Sequence, residues 1–144
     1  MKNTYDVIII GAGVVGSAIA RELSRYRLNV AVIEKEMDVS LGTSSRNSGV
    51  VHSGIHYKPG TLRARLNVQG NSLMSDLCRD LKVKINYIGK LTVAQDEEEA
   101  KSLYPLKEQG EANGVPGLQL LDPAALRKLQ ADVGGIMALH SPST

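Results

Sequence analysis

The stretch Val7-Ile8-Ile9-Ile10-Gly11-Ala12-Gly13-Val14-Val15-Gly16 decides how this sequence folds. Residues 5–10 (Tyr-Asp-Val-Ile-Ile-Ile) form a near-continuous apolar run, the pattern of a parallel strand buried on both faces. Gly11 ends it. From Val14 to about Tyr26, the apolar residues Val15, Ile19 and Leu23 recur at helical spacing, with Arg21, Glu22 and Arg25 on other faces. Residues 29–34 (Asn-Val-Ala-Val-Ile-Glu) read as a second buried strand. Strand, helix and strand within about 30 residues make a βαβ unit.

The turn between strand and helix is a G-x-G-x-x-G motif in the setting its mechanism demands. Gly11 allows the tight turn, Gly13 lets the backbone approach a pyrophosphate, and Gly16 lets helix and strand pack closely. Ala12, Val14 and Val15 complete the loop. The helix N-terminus offers free N–H groups and a positive dipole to phosphate. The second strand ends in Glu34, 23 residues after Gly11, and Lys35 comes next. A carboxylate at that point accepts hydrogen bonds from ribose hydroxyls and repels a 2′-phosphate, which argues against NADP. On these residues alone NAD and FAD are equally possible.

Composition bounds the remaining possibilities. Of 144 residues, 42% are hydrophobic and 22% charged, the balance of a soluble globular protein. There is no Trp and no Phe, so the core must be aliphatic. A net charge of +2 with no basic block gives no reason to expect nucleic acid. The single cysteine, Cys78, excludes an internal disulfide and a multi-cysteine metal site and fits a reducing compartment. Met1-Lys2-Asn3-Thr4 leads almost at once into the apolar strand, and Val7–Ile10 is too short for a signal h-region. No run approaches the ~18 apolar residues that span a bilayer. The expectation is a cytoplasmic protein without a spanning segment, peripheral contact with the inner face of the membrane being left open.

Downstream, residues 38–60 are rich in Gly, Ser, Thr and Asn and read as a long polar loop, usually a functional one. A helix is expected from Thr61 to about Asp80, with Leu62, Leu66, Leu73, Leu77 and Leu81 as its apolar stripe and Cys78 beside it. Residues 83–95 read as strand, broken or bulged at Gly89-Lys90. Asp96 and Glu99 resemble a capping box for a helix to about Asn113, kinked at Pro105 and closed by Gly114. Leu118–Leu121 is expected to be a short strand. Asp122-Pro123 starts a short helix to Gln130, and Ile136–Leu139 is a last strand.

Residues 41–66 read Leu-Gly-Thr-Ser-Ser-Arg-Asn-Ser-Gly-Val-Val-His-Ser-Gly-Ile-His-Tyr-Lys-Pro-Gly-Thr-Leu-Arg-Ala-Arg-Leu. Thr43, Ser44, Ser45, Asn47, Ser48 and Gly49 offer hydroxyls, an amide and closely spaced N–H groups, and Arg46 offers a cationic fork suited to phosphate. Joined to the glycine turn, this stretch resembles the FAD-dependent glycerol-3-phosphate dehydrogenase and L-2-hydroxyglutarate oxidase branch of the D-amino-acid-oxidase-like flavoproteins. The resemblance covers essentially the whole chain and is most specific over residues 5–70. It implies FAD as cofactor, held by Gly11–Gly16, Glu34, Lys35 and Thr43–Gly49. It also implies that His52, Ser53, Gly54, His56 and Tyr57 run along the flavin towards the substrate.

The implied fold is α/β: a Rossmann-like FAD-binding βαβ domain over residues 1–82, with the start of an α+β substrate-domain region over 83–144. The implied reaction is oxidation of the CH–OH group of a small anionic substrate, with electrons passed to a further acceptor and the cofactor performing the redox step. His52, His56 and Tyr57 are the candidate catalytic residues. His56 stands where glycerol-3-phosphate dehydrogenases commonly carry Arg. His-Tyr-Lys-Pro-Gly is nearer the hydroxyglutarate oxidases, whereas Asn113-Gly-Val-Pro-Gly-Leu is nearer the anaerobic glycerol-3-phosphate dehydrogenase-like group. No metal site is expected, because His52, His56 and His140 do not supply a convincing ligand set. Lys58 reads as a solvated side chain. Family members run further than Thr144, so the expectation is an N-terminal part, inactive alone, completed by further residues, a homo-oligomer or another subunit. Two other readings stay open: a non-catalytic nucleotide-binding subunit, and an NAD enzyme of another Rossmann type.

Overall fold

A valine followed by three isoleucines favours extended backbone, because β-branched side chains are crowded in a helix and pack well on a pleated surface. They form strand β1 (Val7–Ile10). The computed structural model describes residues 4–144; Met1-Lys2-Asn3, read above as the lead into this strand, lie outside the described residues. Strand β1 pairs in parallel with β2 (Val30–Ile33) in the register Val7↔Val30 to Ile10↔Ile33. Helix α1 (Val14–Leu23) joins them. It stops short of Tyr26. The Ser24 hydroxyl donates back to the Arg21 carbonyl at 2.7 Å, a local bond that competes with further helix. The expected βαβ unit is present.

The second half of the chain builds a three-stranded antiparallel sheet in the order β3-β5-β4, from β3 (Lys90–Ala94), β4 (Gln119–Leu121) and β5 (Met137–Ser141). Helix α2 (Leu62–Leu81) precedes the sheet, α3 (Glu97–Ala112) links β3 to β4, and α4 (Pro123–Leu129) links β4 to β5. The core gathers Ile55, Ala94, Ala100, Leu103, Val115, Leu118 and Leu139, which are aliphatic as the composition requires.

Local chemistry explains the helix limits. Asp96 Oδ1 accepts from Glu99 N at 2.9 Å, and Glu99 Oε2 accepts in return from Gln95 N at 2.8 Å. The return arm of the expected box therefore lands one residue upstream. At the other end of α3, Gly114 adopts φ +83°. Val115 N donates to Gly110 O at 3.0 Å and Gly114 N to Glu111 O at 2.9 Å, which is the Schellman pattern. Asp122 caps α4 by accepting from Ala125 N at 2.8 Å.

Three expectations are corrected. The strand expected over 83–95 is confined to 90–94, because the five residues of β5 pair only with Lys90–Ala94 and Gly89 turns the chain at φ +71°. The last strand runs on to Ser141, carried there by its pairing with Lys90. The leucine stripe of α2 is not core: Leu62, Leu66, Leu73 and Leu81 are exposed, and Ala64 is the buried residue of that helix. Cys78 is a free, half-buried thiol.

The chain divides into two compact units, Met1–Gly49 and Val50–Thr144. The boundary expected at 82/83 falls inside the second. Asn71 is one tie that keeps α2 with the C-terminal residues: its Nδ2 donates to His52 O at 3.2 Å and to Ser143 O at 2.6 Å.

Candidate functional site

In the first unit, the glycine turn is shaped by contacts that a side chain would destroy. Gly11 sits at φ +97°, where L side chains are strained. Its N–H donates to Ile33 O at 2.7 Å, tying the turn to the end of β2. A Cβ on Gly16 would lie 1.9 Å from Gly11 O, so helix and turn approach as closely as backbone permits. Gly13 is the N-cap of α1 and has no side chain to cap the helix itself. That role falls to a distant residue: Ser44 Oγ accepts from Val14 N at 2.8 Å. The Ser/Asn-rich stretch therefore reaches the helix tip through Ser44. A Cβ on Gly13 would stand 3.0 Å from the same oxygen. Val14 and Val15 are exposed, whereas Ala12 is buried.

Glu34 reaches the turn as well. Its Oε2 accepts from Ala12 N at 2.6 Å, and its Oε1 accepts from Lys35 N at 2.9 Å and Glu36 N at 3.1 Å. The Ala12 bond is the largest influence holding this carboxyl below its usual pKa of 4.5, and the Glu36 N–H adds to it. Lys35 Nζ sits 3.4 Å from Glu36 Oε1. Thr43–Ser45 form a single 3₁₀ turn. Asn47 Nδ2 donates to Ser44 O at 2.7 Å, and Asn47 Oδ1 accepts from Gly49 N at 2.8 Å. Ser45 donates to Gly42 O at 3.3 Å. Thr43, Arg46 and Ser48 are exposed.

The second unit contains a cavity of about 90 Å³ lined by His52, Ser53, His56, Tyr57, Lys90 and Thr144, with the backbone of Gly54 and Ile55. The three candidate catalytic residues thus share one site. Asn113 Nδ2 donates to Gly54 O at 3.0 Å and Tyr57 O at 2.7 Å, and Gln109 Nε2 donates to Ile55 O at 2.7 Å. Two amides of the α3 region therefore fix the loop that carries His56 and Tyr57. The Tyr57 ring lies under the Arg63 guanidinium, 4.5 Å from carbon to centroid. Ser53, buried, accepts from Ser141 Oγ at 3.0 Å and Thr144 Oγ1 at 2.8 Å. Burial of its ring, then the charges of Lys90 and His52, hold His56 below its usual pKa of 6.5. Lys58 is exposed.

A glycine turn, a serine hydroxyl on the helix tip and an acid closing β2 stand where the sequence pattern expects a dinucleotide, and similarity to known proteins gives the family. The family of FAD dependent oxidoreductases matches residues 6–144. The chain belongs to that family. Its glycerol 3-phosphate dehydrogenase member from Caloramator mitchellensis is 48% identical over 129 residues, 90% of this chain and 27% of that protein. The mitochondrial L-2-hydroxyglutarate dehydrogenase of Homo sapiens is 41% identical over 144 residues, 99% of this chain and 31% of that protein. L-α-glycerophosphate oxidase from Mycoplasma pneumoniae, solved with FAD bound, superposes with a TM-score of 0.84 at 36% identity, over 97% of this chain and 38% of that one. The chain spans about a third of the length of these relatives. FAD is the cofactor of this family, which sets aside the NAD alternative.

The sequence reading does not place Lys90, Asn71, Gln109 or Asn113 at the site. Asn113 stands 56 residues from its partner Tyr57, and Lys90 is 34 from His56. A helix C-cap and the first residue of a strand give no local sign of such partners. The one usable signal was Gly89, whose break marks where Lys90 begins the strand.

Proposed function

We propose that the protein carrying this chain is an FAD-dependent oxidoreductase that oxidises the CH–OH group of a small anionic substrate, and that of the two substrate readings, glycerol 3-phosphate first and a 2-hydroxy acid second, the cavity favours the second. The observation that carries this is the helix tip of α1. Gly13, without a Cβ, leaves room beside the serine hydroxyl that accepts from Val14 N, and a phosphate oxygen would take that hydroxyl's place at the helix tip. The backbone of Gly11–Gly16 and the loop Thr43–Gly49 hold the diphosphate and ribitol, with Arg46 as the cation. Glu34 braces the turn through Ala12 and keeps acceptor capacity for the adenylate ribose, since a carboxylate has about four lone-pair sites. Lys35 flanks it.

FAD bound there supplies the hydride acceptor. The chain's own residues manage the substrate and its proton. His56 Nε2 is engaged by Lys90 at 3.2 Å, whereas the His52 ring has no hydrogen bond among the described residues. His52 is therefore the better-placed proton acceptor, with Tyr57 and His56 on the substrate side. In this scheme residues 1–82 serve the cofactor and 83–144 begin the substrate side. A 2-hydroxy acid such as L-2-hydroxyglutarate is the second reading, favoured by the single ammonium in the cavity. No helix among the described residues is long and apolar enough to cross a membrane. A cytoplasmic setting, a separate electron acceptor, and completion by an oligomer or further subunit belong to the same proposal.

The test is an absorbance spectrum of the purified protein followed by anaerobic addition of each substrate. Flavin bands that bleach with glycerol 3-phosphate or L-2-hydroxyglutarate support the proposal. Flavin bands that neither substrate bleaches, with no dye reduction, favour a nucleotide-binding subunit. A spectrum without flavin sinks both.

A further inference from the structure

Lys90 opens β3 opposite Ser141 and lines the cavity already described. Its Nζ lies 3.2 Å from His56 Nε2. An ammonium has donors and no acceptor, so the imidazole nitrogen accepts, and the ring proton belongs on Nδ1. Among the described residues no carboxylate lies within 4.0 Å of Lys90. It is also the only ammonium lining the cavity among those residues. With Nε2 accepting from that ammonium, the His56 ring carries a single proton and contributes no second charge. Ser53 and Thr144 also line the cavity, their hydroxyls bonded to each other at 2.8 Å. A half-buried cation in a hollow, bonded to a neutral ring and lacking a counter-ion, is arranged for an anion.

The backbone on both sides is fixed in advance. Gly89 brings the chain into β3 at φ +71°, and a Cβ there would lie 2.8 Å from His140 Nε2. The His56 loop is held by Gln109 and Asn113. Neither partner depends on a mobile surface side chain alone for its position.

We propose that Lys90 anchors the anionic group of the substrate, and that as a single ammonium it favours a carboxylate over a phosphate dianion. The inference rests on the oxidoreductase reading above and names the residue that selects its substrate class. Lys90 balances the one charge of a carboxylate. A phosphate monoester carries about −1.5 to −2 at pH 7 and leaves charge unbalanced beside a neutral His56.

The experiment uses the FAD-loaded protein, with Lys90→Met and Lys90→Arg variants checked for native circular dichroism. Stopped-flow flavin reduction is followed with L-2-hydroxyglutarate and with glycerol 3-phosphate. Lys90→Met should raise the half-saturating concentration about tenfold or more, while the limiting rate changes by less than about threefold. Lys90→Arg should recover part of the loss. The hydroxy acid should saturate at the lower concentration. Variants within twofold of wild type for both substrates overturn the anchor, and tighter saturation by glycerol 3-phosphate overturns the preference. A separate readout is independent of turnover. In NMR spectra, glutarate should shift the His56 ring nitrogens of the wild type and leave those of Lys90→Met unmoved, with inorganic phosphate weaker. Equal shifts in both proteins overturn the proposal even if neither substrate reduces the flavin, whereas an unreduced wild-type flavin with the expected shifts indicts the oxidoreductase reading instead.

Discussion

Gly16 shows how a single hydrogen can carry a fold. By helix propensity alone, alanine at this position in α1 gains about 1 kcal/mol over glycine. A methyl 1.9 Å from the Gly11 carbonyl reverses that sign, because the atom it meets is backbone and cannot swing aside. Gly16→Ala should cost about 1–3 kcal/mol and strip the flavin bands from the purified protein. Retained flavin and an unchanged Tm would contradict this account of the turn. Glu34 supplies a second residue-scale prediction. Its pKa is depressed in the folded state, so its contribution is complete above the ordinary value of 4.5 and fades as pH falls through the lower folded value. The Ala12 amide resonance should therefore move in an acid titration with a midpoint below 4.5, and Glu34→Gln should abolish that movement. For His56 the depressed pKa likewise means that the neutral ring is favoured, with its contribution present above 6.5 and lost as pH falls. Its ring should titrate below 6.5, and Lys90→Met should raise the midpoint by removing a neighbouring cation.

At the scale of elements, α3 does more than fill space. Its N-terminus is capped by Asp96, its C-terminus closes in a Schellman turn, and its last turns carry Gln109 and Asn113 to the loop bearing His56 and Tyr57. Gly110 lies between those two amides, and a Cβ there would come within 2.5 Å of Leu118 Cδ1 and 3.1 Å of Ile55 Cγ2. Both neighbours belong to the buried core. Gly110→Ala should therefore lower stability by about 1–3 kcal/mol against its propensity, read as a fall in Tm. By comparison, Asp122→Ala at the cap of α4 should cost about 1 kcal/mol and leave flavin binding unchanged.

The molecule as a whole leaves much apolar surface in water. In the first unit Ile8, Ile10 and Ile33 are exposed, Ile10 to 88%. They lie in a sheet of two four-residue strands, against which α1 packs. In the second unit Leu62, Leu66, Leu73 and Leu81 of α2 are exposed. Such surface invites association. The 144-residue chain alone should bind an apolar dye such as ANS, scatter light as a self-associated species and hold FAD weakly without turnover. A monodisperse, dye-silent chain would show that these faces need no cover.

Periodicity, glycine placement and caps made the βαβ unit, the capped helices and the dinucleotide loop legible from sequence, because each depends on residues close together in the chain. Strand limits and burial were not legible in the same way. Residues 83–89 have strand-like composition but no pairing strand, and the leucines of α2 have helical spacing but nothing among these residues to pack against. The cavity shows the same division. His52, His56 and Tyr57 stand in one short segment and could be read together. Lys90 joined them only when the β3–β5 pairing carried it across 34 residues, since charge complementarity and burial are properties of space that no local pattern encodes.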